Sequence, residues 1–309
     1  MAVNLALAGV GEMTLVDRDV VSLENLHRQP IYSLSDVGKS KAEVAAGFIA
    51  ARVPGVKVRY RAESIDDLNS LDILGGSDVG VDCLDNVPAR LALNSACVKR
   101  ELPLVHTGGI GWEASEGVFW SPKTACLECL FPRRPAGADT AEWDALPDCE
   151  QVGALGAITG LVASLGAMDA IKLLIGLEPA SLGRMLVWDG RNAESHLVEV
   201  MRREDCDACG RGTSRKGMRT GSRSKGAGRS IVELCGGNEF YIGGAFSPRS
   251  FAKIGRGLLG RSAAMGESII QARVGEAEVS IFRSGGLLVR GVSSPEGARG
   301  VARALGMDV

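Results

Sequence analysis

No apolar run in the 309 residues reaches the roughly 18 needed to cross a bilayer. The nearest approach, Val152 to Leu177, carries Asp169, Lys172 and several glycines, so no membrane partner is expected. A charged N-terminal region followed by a cleavage site is lacking too; the expectation is a cytoplasmic rather than a secreted protein. There is little net charge, −2, and so no bulk field that would draw the chain to a specific nucleic acid. Also lacking is a GxGxxG loop that opens a helix. Gly9-Val10-Gly11 runs into a strand instead, which removes a dinucleotide-dependent dehydrogenase from consideration. What remains, 45% apolar and 23% charged, is ordinary for a globular chain of about two domains.

The richest stretch is Leu15 to Lys41, LVDRDVVSLENLHRQPIYSLSDVGKSK. An apolar strand, Glu12 to Val16, ends in two acids, Asp17 and Asp19. The chain then turns through Glu24-Asn25-Leu26-His27-Arg28-Gln29 and reaches Gly38-Lys39-Ser40-Lys41, the start of an expected helix over 40–53. An acid at the end of such a strand is where α/β nucleotide-binding units hold a ribose hydroxyl. Arg28 and Lys41 are the charge type that neutralises phosphates. Taken singly, each residue reads more readily as solvated loop or surface charge than as a ligand contact.

Further along, Val56, Val58 and Tyr60 alternate with basic residues as a half-buried strand. Val79, Val81 and Cys83 read as the next strand, running into Asp85-Asn86 and a helix over 87–99. Pro103 to His106 and Gly117 to Ser121 read as strands, Gly153 to Ile175 as a helix whose small residues allow close packing, and Met185–Asp189 and His196–Val200 as a closing strand pair. Alternating strands and helices indicate an α/β fold, a Rossmann-like and mostly parallel sheet with helices on both faces. Ligands of such sheets sit beyond the C-terminal strand ends, which would let Asp17 and Asp85 converge. Residues 210–230 hold seven Arg or Lys, six Gly and no acid, a flexible linker. The division expected is therefore 1–210, a linker at 211–229, and a small α+β domain at 230–309 with a hairpin around Arg283-Ser284-Gly285-Gly286 and a closing helix from Pro295.

Eight cysteines include two CxxC pairs, Cys126/Cys129 and Cys206/Cys209. CxxC places two thiolates on one turn, and two such turns complete a tetrahedral Zn2+ site. The long separation between the pairs suits a clip joining distant segments rather than a finger; two unrelated turns or one redox pair are the alternatives. Four thiolates leave no open position, so the zinc would be structural. Cys83 and Cys97 read as buried filler. Cys149, between Asp148 and Glu150 at a loop-to-helix junction, has two readings. A helix N-terminus lowers a thiol pKa, and the flanking acids oppose that. Asn86 before Val87 reads as a helix N-cap, and His106 as a satisfied core histidine.

The combination DxD, NLxRQ, GxxK and DxxDN, together with the CxxC pairs, resembles the ThiF/MoeB family over roughly residues 2 to 210. These relatives of ubiquitin-activating enzymes adenylate the C-terminus of small ubiquitin-like sulfur carriers. The resemblance implies an ATP- and Mg2+-dependent adenylyltransferase with a structural Zn2+, acting on such a carrier as a homodimer. By the same carry-over Asp17 takes the ribose; Asn25, Arg28 and Lys41 contact phosphates; Gln29 completes a nucleotide-binding string that also spans Asp19, Glu24, Leu26 and His27; Asp85 holds Mg2+ and Asn86 contacts the nucleotide, supported by Arg90. Arg28, Asp85 and Cys149 are the expected catalytic residues. Where Glu24 stands, relatives commonly have Ser, and an acid there must face away from a triphosphate. The family begins with a strand and a GxGGxGS loop, and this sequence starts inside the helix that follows them. Lacking the first strand, the loop and the N-terminal arm, it is expected to bind ATP more weakly, and a non-catalytic, zinc-stabilised module that binds a carrier or a complete partner subunit is the alternative.

Overall fold

The computed structural model describes residues 1–132, 152–210, 231–233, 238–258, 263–266, 268–307 and 309. The loop expected after residue 132, Cys149, and the basic linker lie outside the described residues. In chain order the elements are α1 (Ala2–Leu7), β1 (Glu12–Val16), α2 (Lys41–Arg52), β2 (Lys57–Arg61), α3 (Ser70–Ile73), β3 (Gly80–Asp82), α4 (Val87–Arg100), β4 (Leu104–Ile110), β5 (Glu113–Phe119), α5 (Leu127–Leu130), α6 (Gly156–Leu174), β6 (Arg184–Asp189), β7 (Glu194–Glu199), β8 (Ile231–Glu233), β9 (Glu239–Ile242), α7 (Phe251–Leu258), β10 (Ala263–Met265), β11 (Ile269–Val274), β12 (Ala277–Phe282), β13 (Leu287–Arg290) and α8 (Pro295–Ala304).

Local chemistry sets the helix ends. Ser40 caps α2, its hydroxyl accepting the Glu43 amide at 3.4 Å, and Ala42, Ala45, Ala46 and Ile49 form the buried stripe. Asn86 caps α4 by accepting the Ala89 amide at 3.0 Å. Pro88 sits in the first turn, where its missing N–H costs nothing, and Glu101 closes the helix in the left-handed region at φ 54°.

Two compact units emerge. The first comprises Met1–Val10 and Ile65–Ser222. Its five-stranded sheet runs in the order β3-β4-β5-β6-β7. β3 and β4 are parallel, and every later pair is antiparallel. Helix α6 buries Ile158, Val162, Gly166, Ala167, Asp169 and Ala170. By length and composition alone it is long and apolar enough to cross a membrane, with 33% of its apolar window buried here. A second core joins Leu93, Ala96, Cys97, Leu104, Phe119 and Leu127 to the CxxC cysteines.

The second unit comprises Gly11–Ser64 and Arg223–Val309. The segment carrying Asp17 to Lys41 thus groups with the C-terminal region. Here β1 and β2 form a parallel pair of their own, and an antiparallel sheet runs β10-β11-β12-β13-β9-β8. One face of that sheet packs α7 and α8 around Phe240, Ile242, Ile281, Leu287, Val289 and Ala298. The expected hairpin is β12–β13, closed through Gly285 at φ 101°.

The α/β class is therefore observed; among the described residues the parallel strand pairs are β1–β2 and β3–β4. One cysteine differs from expectation, and β3 is covered on both faces: Val79 and Val81 pack against Val105, Val118 and Ala170. In β3 the buried residues are Gly80 and Asp82, with Val81 half-buried and Cys83 exposed. The other face buries Asp82, where His106 and Arg90 meet it. Cys83 is not buried filler, whereas Cys97 is: it is 2% exposed, and burial pushes its thiol up to about 12.

The glycines of α6 are not equivalent. A Cβ on Gly166 would lie 2.6 Å from the Thr107 Cγ2, while one on Gly160 meets nothing within 4 Å. Gly160→Ala should raise stability by about 0.5–1 kcal/mol through helix propensity, and Gly166→Ala should lower it by roughly 1–3 kcal/mol through overpacking. Urea unfolding of the two variants checks the opposite signs; equal effects would contradict the packing described.

Candidate nucleotide site and thiolate cluster

In the second unit the string Asp17–Lys41 folds back on itself. Val20 bridges Ser40 in antiparallel fashion. The Val21 amide donates to the Lys39 carbonyl at 2.8 Å, the Gly38 amide returns to Val21 at 2.8 Å, and the Lys41 amide donates to the Asp19 carbonyl at 3.0 Å. Gly38 is needed at that crossing because its φ is 86°. The acid-bearing strand end is so zipped to the start of α2. Asp17 accepts the Asp19 amide at 2.8 Å, which fixes the turn. Asp19 receives the Lys41 ammonium at 2.9 Å. Burial raises the Asp19 carboxyl, and the charges of Lys41 and Arg18, the Lys41 hydrogen bond and Arg290 together outweigh it and hold the group below its ordinary range. The Tyr32 hydroxyl donates to the Lys41 carbonyl at 3.1 Å, and burial together with Asp17 and Asp19 raises its pKa.

The NLxRQ turn starts with a single 3-10 turn over Leu23–Asn25. Asn25 is buried, and its carbonyl accepts the amides of Arg28 and Gln29 at 3.2 and 3.1 Å. The Glu24 carbonyl accepts from Arg28 Nη1 at 3.2 Å and meets the exposed His27 Nδ1 at 2.7 Å. The Glu24 carboxylate is exposed and accepts from the Ser22 hydroxyl at 3.2 Å. Leu26 is half-buried. The Gln29 amide oxygen is buried with no hydrogen-bond partner among the described residues, a costly arrangement that a ligand donor would relieve.

The first unit holds Asp85, Asn86 and Arg90. Asp85 is exposed just beyond the C-terminal end of β3 and accepts from the Asn86 amide at 3.0 Å. Asn86 is buried by its capping role. Arg90 reaches back along α4 to donate to the carbonyls of Leu84 and Thr107 and to Asp82, at 3.3 Å from its carboxylate. Asp82 also accepts the Leu84 amide at 2.9 Å and meets His106 Nδ1 at 2.7 Å. Thr107 donates to the Asp82 carbonyl at 2.9 Å. An Asp82–His106–Arg90 network thus clamps the loop that presents Asp85. His106 is the satisfied core histidine expected. Sequence reasoning missed Asp82, which stands in plain sight two residues before Leu84 but is anchored by partners on α4 and β4.

The four CxxC thiols meet in this unit. Cys126 and Cys206 sulfurs are 3.7 Å apart, Cys129 and Cys209 sulfurs 3.4 Å, and all four lie within 4.8 Å of one another. Disulfide sulfurs would be bonded at ~2.05 Å; a tetrahedral Zn2+ with bonds of ~2.3 Å spaces its sulfurs about 3.8 Å apart. The donor set and spacing fit a structural zinc. Asn94 Nδ2 lies 3.6 Å from the Cys126 sulfur and the Arg203 amide 3.5 Å from that of Cys129, donors of the kind that orient thiolate ligands. Gly210 ends the second turn. A Cβ there would lie 2.4 Å from the Glu204 carbonyl oxygen, so only glycine closes the loop.

One unit carries acids at a strand end beside a basic helix start, and the other a four-cysteine cluster and an acid beyond a strand end. In comparison with known proteins, the ThiF family matches residues 1–209, and the chain belongs to it. It is 38% identical over 208 residues to the SAMP-activating enzyme E1 of Haloferax volcanii, covering 67% of this chain and 74% of that one. To the adenylyltransferase and sulfurtransferase MOCS3 of Caenorhabditis briggsae it is 33% identical over 212 residues, 68% of this chain and 51% of that one. The chain thus spans about half the length of the MOCS3 relative. Among solved structures it is similar to E. coli MccB with ATP, at 27% identity and TM-score 0.56, covering 68% of this chain and 62% of that one.

Two predictions follow from the first unit. One Zn2+ per chain should be released by a thiol-modifying reagent, and Cys126→Ser should abolish its binding, both read by a colorimetric chelator. Burial first, and the Arg90 charge, hold the His106 pKa below its ordinary value against the pull of Asp82. The unfolded chain then takes up the proton that the folded chain refuses. Stability should be full above pH ~6.5 and fall as the pH drops below it toward the depressed folded value. His106→Gln should flatten that part of the pH profile in chemical unfolding; an unchanged slope would remove His106 as its source.

Proposed function

We propose that the chain is an ATP-dependent adenylyltransferase that activates the C-terminal carboxylate of a ubiquitin-like sulfur carrier. The observation that carries this reading is the zipped strand-to-helix segment. It holds two acids, a lysine at a capped helix start, and an orphaned glutamine amide on one short stretch. Family membership and the names of the SAMP-activating and MOCS3 relatives support it.

In this reading Asp17 accepts from the ribose hydroxyls, and a donor on the nucleotide satisfies the Gln29 amide oxygen. Arg28 and Lys41 hold the phosphates, aided by the positive end of α2. Asp85, an exposed hard-oxygen donor on a clamped loop, would hold the Mg2+, which supplies positive charge beside the departing pyrophosphate. The carrier carboxylate is already ionised and attacks the α-phosphorus; the α–β bridging oxygen leaves with the pyrophosphate, giving the acyl-adenylate. No general base is needed, so the protein's part is positioning and charge neutralisation. Cys126, Cys129, Cys206 and Cys209 would hold a structural Zn2+. A cytoplasmic setting, where thiols stay reduced, suits that cluster, and the assembly proposed is a homodimer. Cys149 remains the proposed thiol for any covalent carrier adduct.

The test is carrier-dependent ATP–pyrophosphate exchange with the zinc-loaded chain. Exchange is expected, and Asp85→Ala should lower it at least about 100-fold while leaving zinc in place. Exchange retained in Asp85→Ala removes Asp85 from the mechanism. No exchange from folded wild-type chain would favour the carrier-binding module instead.

A further inference from the structure

The residues beyond the family match are not a separate appendage of the nucleotide segment. Within the second unit, the sheet face opposite α7 and α8 buries Tyr241, Ile269, Phe282 and Leu288 together with Ala62, and Val20 packs against them. The Ser284 hydroxyl donates to the Ala62 carbonyl at 3.2 Å. Side chains of a strand alternate between faces. Leu287 and Val289 enter the helix-covered core, so Arg290 shares the face of Leu288, toward Val20 and its neighbour Asp19. There its Nη2 lies 3.8 Å from Asp19 Oδ1. Gly291, at φ 80°, then turns the chain away.

Asp19 consequently faces three cations: Lys41 at 2.9 Å, Arg18 at 3.7 Å and Arg290 at 3.8 Å. Lys41 alone makes the short hydrogen bond, and its side chain is 8% exposed. A phosphate that draws Lys41 toward itself would leave a partly buried carboxylate behind. Stripping such a group of its partner is strongly unfavourable unless another cation takes over. Arg18, the sequence neighbour, is held on the same turn. Arg290 comes from a different strand, has side-chain exposure of 31%, and its planar fork can close on both carboxylate oxygens.

We propose that Arg290 is a positioning residue of the nucleotide site: it takes over the Asp19 carboxylate when Lys41 moves to an ATP phosphate, making the C-terminal region a working part of that site. The proposal rests on the nucleotide reading of Asp17–Lys41 given above.

The test uses the full zinc-loaded chain and measures Mg·ATP affinity by calorimetry, with KM and kcat for ATP in carrier-dependent exchange. Arg290→Ala should weaken ATP affinity and raise its KM about tenfold with kcat changed less than about twofold, the pattern of a binding rather than a transition-state defect. Arg290→Gln, which keeps the side-chain stem, should show the same split, and Arg290→Lys should recover most of the loss. Adding Asp19→Asn to Arg290→Ala should restore much of the ATP affinity, because a neutral amide no longer retains Lys41; a merely structural arginine would not be rescued this way. Unchanged ATP affinity in Arg290→Ala and Arg290→Gln overturns the proposal while the nucleotide reading stands. So does a loss that neither Arg290→Lys nor the double substitution repairs. Wild-type chain that binds no Mg·ATP overturns both.

Discussion

A carboxylate half removed from water must keep a cation, and Asp19 is where this chain meets that requirement. Its short bond to Lys41 ties the end of β1 to the start of α2, and the backbone ladder between Val20–Val21 and Gly38–Ser40 runs beside it. The same carboxylate draws Arg290 from the last residue of β13. Local turn chemistry, the helix start and the packing of the C-terminal sheet all converge on one ion cluster. Charge pairs at a surface are worth little; this one matters because its members are partly buried and because each would be missed if another moved.

The first unit solves a parallel problem with different residues. Asp82 is fully buried, and His106 with Arg90 satisfies it. Arg90 also grips the carbonyls of Leu84 and Thr107, so Asp85 rides on a loop whose backbone is held from behind. The four thiols join α5 to the segment after β7, in the core against which Leu84 packs. Such rigidity around an exposed acid suits the cation-holding role proposed for Asp85.

Much of this was legible in the sequence where the signal is local. β1, α2 and α4, the Asn86 cap, the β12–β13 hairpin and the paired CxxC turns all follow from residues a few positions apart. The roles of Asp17, Arg28, Lys41 and Asp85, which spacing alone left open, come from family resemblance and stand as proposals. What stayed hidden depends on distant partners. The alternation Val79, Val81, Cys83 marks one packed face of β3 but gives no sign that the other face buries an aspartate, whose cation and histidine lie on α4 and β4. Nothing near Arg290 announces that it will reach Asp19, since the contact is made by a sheet assembled more than two hundred residues later. Parallel pairing was expected across one sheet; among the described residues it joins β1 to β2 in the second unit and β3 to β4 in the first.

The claim at the centre is that the Asp17–Lys41 segment binds the triphosphate of ATP. Titration calorimetry of Mg·ATP into the wild-type chain and into Lys41→Ala tests it most directly. The account predicts one site per chain in the wild type and at least about tenfold weaker binding in the variant, the loss expected for a charged phosphate contact. Equal affinity in the two proteins, or no binding to the wild type, would contradict it.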